Sequence, residues 1–110
     1  RARDMIIRSG ENIYPVEIEH RLESHPFIHE VAVIGVDDAE KGQIPKAIIV
    51  LNDNGLFKID TFLEWCSETL ASYKVPEIWE HRTSPLPRTA SGKVIKGALT
   101  GDREVSSFDD

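Results

Sequence analysis

Two short stretches of this chain combine glycine with cations in a way that could do chemistry. Pro87-Arg88-Thr89-Ala90-Ser91-Gly92-Lys93 joins small residues to a glycine, so the backbone can bend sharply and approach a ligand. The lysine at its end is a compact charge with reach, suited to a phosphate or carboxylate oxygen. The stretch has the make-up of a phosphate loop, but the nucleotide P-loop pattern needs a glycine where Pro87 stands. Ser-Gly-Lys is also a common solvated turn, and these residues alone leave both readings open. The second stretch is Arg1-Ala2-Arg3-Asp4 followed by Ser9-Gly10-Glu11-Asn12. Gly10 sits where a hairpin tip needs positive φ or passes close to a ligand, and surface charges beside a turn glycine are the plainer alternative.

Other chemistries find less support. His25 and His29 straddle Pro26 and cannot share a helix face, and His20 and His81 add no metal-like pairing. Cys66 is the single cysteine, which rules out an internal disulfide and a paired-cysteine metal or redox site and points to a reducing, cytoplasmic setting. With 13 Lys+Arg against 19 Asp+Glu the formal charge is −6, so no basic field exists for nucleic acid or an anionic membrane, and any anion must be met locally. No apolar run approaches the ~20 residues of a membrane helix, and no secretory signal opens the chain. Trp65 and Trp79 read as core or interface groups.

The elements that must position these stretches follow from periodicity. Asp4 to Arg8 and Asn12 to Tyr14, separated by Ser9-Gly10, predict a short hairpin. Pro15 opens a helix, with Ile18 and Leu22 on one face, that ends near Ser24. Glu30–Val36 is a nearly continuous β-branched run, expected to be a central strand buried on both faces. A polar loop over Asp37–Gln43 leads to a second buried strand, Lys46–Leu51. From Asp60 as N-cap, Phe62, Leu63, Cys66 and Leu70 predict a second helix to about Ala71. Glu77–His81 is a third strand, Ser84–Lys93 a loop, and Val94 to about Leu99 a short helix. The expected fold is α/β (α+β), a small three-stranded sheet packed with two to three helices and preceded by a β-hairpin. One domain over residues 1–99 precedes an acidic tail, 100–110, expected to fray. At 110 residues the chain is short for an enzyme holding several substrates, and its opening on Arg1 suggests a piece of something longer.

The two stretches gain meaning together. Arg1 through Glu19, with Gly10-Glu11-Asn12-Ile13-Tyr14-Pro15 at its heart, closely resembles the hinge-and-loop motif that opens the C-terminal domain of acyl- and aryl-CoA synthetases. Val31–Asp38 resembles that family's central strand, Ala71–Pro76 its post-helix turn, and Leu86–Lys93 its catalytic-lysine loop. The resemblance covers residues 1 to 99 in order. It is closer to the acyl-CoA ligase branch than to the peptide-synthetase branch of the same superfamily.

The resemblance implies an AMP-forming ligase that joins a carboxylic acid, fatty-acyl or aryl, to coenzyme A, using ATP, coenzyme A and Mg2+ held mainly by an N-terminal AMP-binding domain of the same polypeptide. It implies that Lys93 contacts carboxylate and α-phosphate oxygens during adenylation, with Gly92 shaping its loop. By the same resemblance Arg1 contacts the ribose, Arg3 is the hinge, where relatives more often carry Asp or Lys, and Gly10 lies on the loop facing the thioester step. Lys74 and Lys96 could meet coenzyme A phosphates, although helix-end and surface roles suit them better. The acid's pocket is expected in the other domain, and this piece alone is expected to be inactive. Two alternatives stand beside this: a non-catalytic interaction module of the same shape, and an adenylating enzyme whose acceptor is not coenzyme A.

Overall fold

The computed structural model describes residues 5–53 and 55–99. Strands β1 (Ile6–Arg8) and β2 (Glu11–Ile13) form the expected hairpin and lead into helix α1 (Pro15–Glu23), whose first position is the proline. Strands β3 (Ile28–Asp38) and β4 (Gly42–Leu51) form a long antiparallel pair, followed by helix α2 (Ile59–Ser67), a 3-10 turn at Ser72–Lys74, strand β5 (Ile78–Arg82) and a 3-10 turn at Lys96–Leu99. The hairpin belongs to the sheet, because β1 pairs with β4 at Arg8 and Gly42, which gives five strands where three plus a separate hairpin were expected. β5 joins β4 in parallel.

Both sheet faces are covered. Ile18 and Leu22 of α1 and Phe62 and Cys66 of α2 pack on Val31, Val33, Ala47 and Ile49. Leu86 and Leu99 close the opposite face over Ala32, Ile34, Ile48 and Val50. Alternating residues of β3 and β4 thus bury opposite faces, which is why both strands read as unbroken apolar runs.

Five expectations need correction. The central strand is β4, while β3 pairs only with β4 among the described residues. Its outer edge is covered by a side chain, since Val33 N donates to Glu19 Oε2 at 2.9 Å, which blunts an edge otherwise open to pairing. The loop expected over Asp37–Gln43 shrinks to residues 39–41, because the Asp38 carboxylate accepts from Glu40 N (3.1 Å) and Lys41 N (2.9 Å) and Gly42 takes φ +88°. Asp60 is not the N-cap of α2. The helix starts at Ile59, so the carboxylate stands in the first turn, where it opposes the positive end of the helix dipole. The helix also ends sooner, at Ser67, and the expected terminal helix is a 3-10 turn that starts at Lys96.

Candidate active site

Lys93 closes a tight turn. Gly92 N donates to Thr89 O (2.9 Å), Thr89 N donates to Lys93 O (2.8 Å), and Gly92 takes φ +97°. This is a type I turn followed by a glycine bulge, and the bulge position needs the left-handed backbone that glycine supplies without strain. Side chains reinforce it. Thr89 Oγ1 accepts from Lys93 N (3.2 Å) and lies 3.0 Å from Ser91 Oγ. Arg88 and Val94 bridge across the base, and Ile95 N donates to Pro87 O at 2.8 Å. The turn is therefore built, and the lysine at its end leaves it from a fixed backbone position.

Arg88 ties this turn to the sheet. One guanidinium nitrogen donates to Gly92 O at 2.7 Å, the other to Glu30 Oε1 at 2.9 Å, and the same carboxylate oxygen accepts from Leu86 N at 3.3 Å. Beside the turn runs an open groove of about 630 Å³ whose lining includes Val16, Glu19, His29, Arg88, Lys93 and Lys96. Two of its cations are neutralised, Arg88 by Glu30 and Lys96 by Glu19 at 2.8 Å. Among the described residues, Lys93 is exposed and its amine makes no ion pair or hydrogen bond, so it is a cation available to an incoming anion.

Gly10 tips the β1–β2 hairpin. Ser9 at φ +49° and Gly10 at φ +84° make the two-residue turn that matches the twist of the flanking strands. A Cβ added at Gly10 would meet nothing within 4 Å, and the same holds at Gly92. At both sites the domain's own packing leaves the glycine's face open. The hairpin is anchored by Ser9 N to Lys41 O (2.7 Å) and by Arg8, whose Nη2 lies 2.7 Å from Glu77 Oε2. Arg8 and Lys41 hold the Glu77 carboxyl below its ordinary range, chiefly through the Arg8 hydrogen bond.

The two turns lie at opposite ends of β3. Lys93's turn is held at Glu30 and the hairpin tip at Lys41, just beyond Asp38. The stretch of strand from Glu30 to Asp38 spans about 26 Å at the usual rise.

The remaining candidates fall out as follows. Arg1 and Arg3 lie outside the described residues. Lys74 pairs with Glu17 at 2.9 Å, which raises its pKa, and Lys96 pairs with Glu19, so both do structural work on α1. Trp65 is an internal strut, with Nε1 donating to Arg21 O at 2.9 Å and the Arg21 guanidinium 4.0 Å above its ring. Glu30 and Glu77 carried no sequence signal beyond a charge at the entry of a strand, and their partners stand 58 and 69 positions away.

The domain thus carries an exposed lysine turn at one end of β3 and a glycine hairpin tip at the other. The chain belongs to the AMP-binding enzyme C-terminal domain family, whose sequence profile matches residues 17–93. It is 46% identical over 99 residues to the feruloyl-CoA synthase of an Amycolatopsis species, covering 90% of this chain and 20% of that protein. It is 45% identical over 105 residues to the 2-succinylbenzoate–CoA ligase of Listeria innocua, covering 90% and 21%. Among solved structures, the o-succinylbenzoate CoA synthetase of Bacillus subtilis in complex with its acyl-adenylate intermediate matches with a TM-score of 0.85 at 39% identity, over 94% of this chain and 21% of that one. The fatty acyl CoA synthetase of Mycobacterium tuberculosis matches with a TM-score of 0.84 at 39% identity, over 99% and 21%. The chain thus spans about a fifth of the length of these relatives.

Proposed function

We propose that this chain is the C-terminal lid of an ATP-dependent, AMP-forming carboxylic acid–CoA ligase acting on an aryl or fatty-acyl acid, with Lys93 serving adenylation and the Ser9–Gly10 turn serving thioester formation. The observation that carries this reading is the placement of the two turns at opposite ends of β3. Turns held at either end of a strand stretch of about 26 Å cannot meet the same reacting atoms at once, and a lid that turns one end and then the other toward the site can. The CoA ligases among the relatives support the reaction class, as does the acyl-adenylate bound in one of their structures.

ATP supplies the activated phosphoanhydride and coenzyme A the thiol acceptor. In adenylation the acid's carboxylate oxygen bonds to the α-phosphorus as pyrophosphate departs, and negative charge gathers on the oxygens around that phosphorus. An exposed amine at a fixed turn, with no ion-pair or hydrogen-bond partner among the described residues, fits that charge. In the second step the thiol sulfur bonds to the acyl carbon as AMP departs, and the bare face of Gly10 leaves room for a close approach. By the same family reading, Mg2+ is assigned to the N-terminal AMP-binding domain, the proposed partner within the same polypeptide. Arg1 and Arg3 keep their proposed ribose and hinge roles. The boundary at residue 99 and a cytoplasmic setting are parts of the same proposal.

The test is Lys93→Ala in the intact polypeptide. Adenylate formation, followed as pyrophosphate release, is expected to fall by about 10²–10³, while thioester formation from preformed acyl-adenylate survives. Equal loss in both half-reactions would sink the assignment.

A further inference from the structure

We infer that Glu30 and Arg88 act as one positioning unit for Lys93, fixing the pose of its turn for adenylation and contributing nothing to the thioester step. The inference rests on the adenylation role proposed above for Lys93. Its geometry stands on its own. Arg88 is bifunctional, with one nitrogen on Gly92 O, the carbonyl of the residue just before Lys93, and another on Glu30 Oε1. Glu30 Oε1 also accepts from Leu86 N, so one carboxylate oxygen holds both the entry of the loop and the guanidinium spanning it. Glu30 belongs to β3 and pairs with Val50 of β4, next to the register shift between Ile28 and Glu30, so the anchor stands on a paired residue near the end of the β3–β4 ladder.

The chemistry favours a unit over two separate contacts. Glu30's side chain is 10% exposed and Arg88's 42%, so the carboxylate is largely withdrawn from water and the guanidinium is the part that reaches out. A carboxylate so placed needs its donors, and Leu86 N with Arg88 supplies them. A planar fork is required, because two acceptors in different directions must be met with fixed geometry, and an ammonium would hold them loosely. A bulge turn of this size has internal hydrogen bonds that fix its shape, but its tilt on the sheet is set by what lies outside it. Among the described residues the hydrogen-bonded tie to the sheet is Glu30, which holds both Arg88 and Leu86 N, beside the packing of Leu86 and Val94 on the sheet face. Tilt at the base becomes displacement of an amine at the end of a long side chain, and a displacement of about 1 Å can cost about 10²-fold in rate.

The experiment uses the intact polypeptide and one acid throughout, whichever of ferulate, 2-succinylbenzoate or hexadecanoate the wild-type protein turns over. Glu30→Ala, Arg88→Ala and the double variant are compared for pyrophosphate release, for thioester formation from the preformed adenylate, and for melting temperature. Each single variant is expected to lower the kcat of adenylation about 10-fold or more, with the KM for ATP and the thioester step unchanged. The double variant should be no worse than the worse single variant, as for residues acting as a unit. Arg88→Lys should recover only part of the loss. Additive losses, an unchanged kcat, or a raised KM for ATP with Arg88→Ala while Glu30→Ala is silent would overturn the inference, the last meaning that Arg88 meets the nucleotide itself. If Glu30→Ala does not fold, the half-reaction split of Arg88→Ala and Arg88→Lys decides. Should Lys93→Ala leave adenylation intact, the underlying reading fails. Should Lys93→Ala abolish it while both brace variants are silent, this inference alone fails.

Discussion

The two ends of β3 use the same backbone device for opposite purposes. Each carries a turn whose glycine has positive φ and an open face, and each turn is tied to the sheet by an Arg–Glu pair, Arg88–Glu30 at one end and Arg8–Glu77 at the other. At the Lys93 end the turn is braced by its own hydrogen bonds and delivers a side chain. At the Gly10 end the turn has two residues, and its tip offers the absence of one. Under the proposed function, left-handed glycine serves once to aim a charge and once to keep a path clear. The comparison breaks most sharply under Gly92→Ala and Gly10→Ala. Both force a Cβ into left-handed backbone at about 1–2 kcal/mol, so melting temperatures should fall by similar amounts. The kinetics should diverge, with adenylation slowed by up to about 10²-fold in the first and thioester formation in the second. Parallel losses in both half-reactions would mean that the two ends are not functionally distinct.

A smaller effect tests the second brace. The hairpin meets β4 at a single register pair, Arg8 with Gly42, helped by Ser9 N on Lys41 O and Ile7 N on Gln43 Oε1. Glu77 binds both Arg8 and Lys41, the latter at 3.5 Å, and so spans the root of the hairpin. Glu77→Gln removes the charge and keeps the shape. Exposed pairs of this sort contribute about 0.2–1 kcal/mol, so the thioester step should slow by no more than about fivefold, with adenylation unaffected. A larger loss in pyrophosphate release than in thioester formation would contradict the assignment of this brace to the Gly10 end.

What the sequence revealed and concealed follows from the range of the interactions involved. The lysine turn was legible because its pattern is local: small residues, one glycine and a cation within seven positions. The strands were legible because β-branched runs over 30–36 and 46–51 face apolar layers on both sides. That same two-sided burial misled on order, since a covered edge strand and a central strand bury identical faces, and what distinguishes them is long-range pairing, β1 and β5 along β4 against the Glu19 side chain on Val33 N of β3. Asp37 and Gln43 read as loop because they are polar, yet they pair with each other where the hairpin runs out toward solvent. The Glu30–Arg88 and Arg8–Glu77 pairs were illegible for a different reason. Partners 58 and 69 residues apart have no period, and chain topology alone brings them together.

The smallest expected effect is a control on the comparison, a perturbation in the layer both ends share. His25 packs against Phe62 and Trp65, with ring centroids at 5.1 and 4.8 Å, and its Nδ1 accepts from Phe27 N at 3.0 Å. Burial, and secondarily the Arg21 charge, lower its pKa from the ordinary 6.5. The unfolded chain therefore takes up a proton at His25 as pH falls through 6.5, before the folded chain does, and folding stability declines from there toward the lower folded pKa. Protonation would also give Nδ1 a hydrogen where it now accepts one from Phe27 N. His25→Asn, which keeps an acceptor but does not titrate, should lessen the drop in melting temperature between pH 7.5 and pH 5.5. The difference should stay below the ~4–8 °C that 1 kcal/mol represents in a domain of this size. Because His25 belongs to the helical layer and touches neither turn, the ratio of the two half-reaction rates at a given pH should match the wild type. A ratio that shifted with His25→Asn would show that the two ends are coupled through the core.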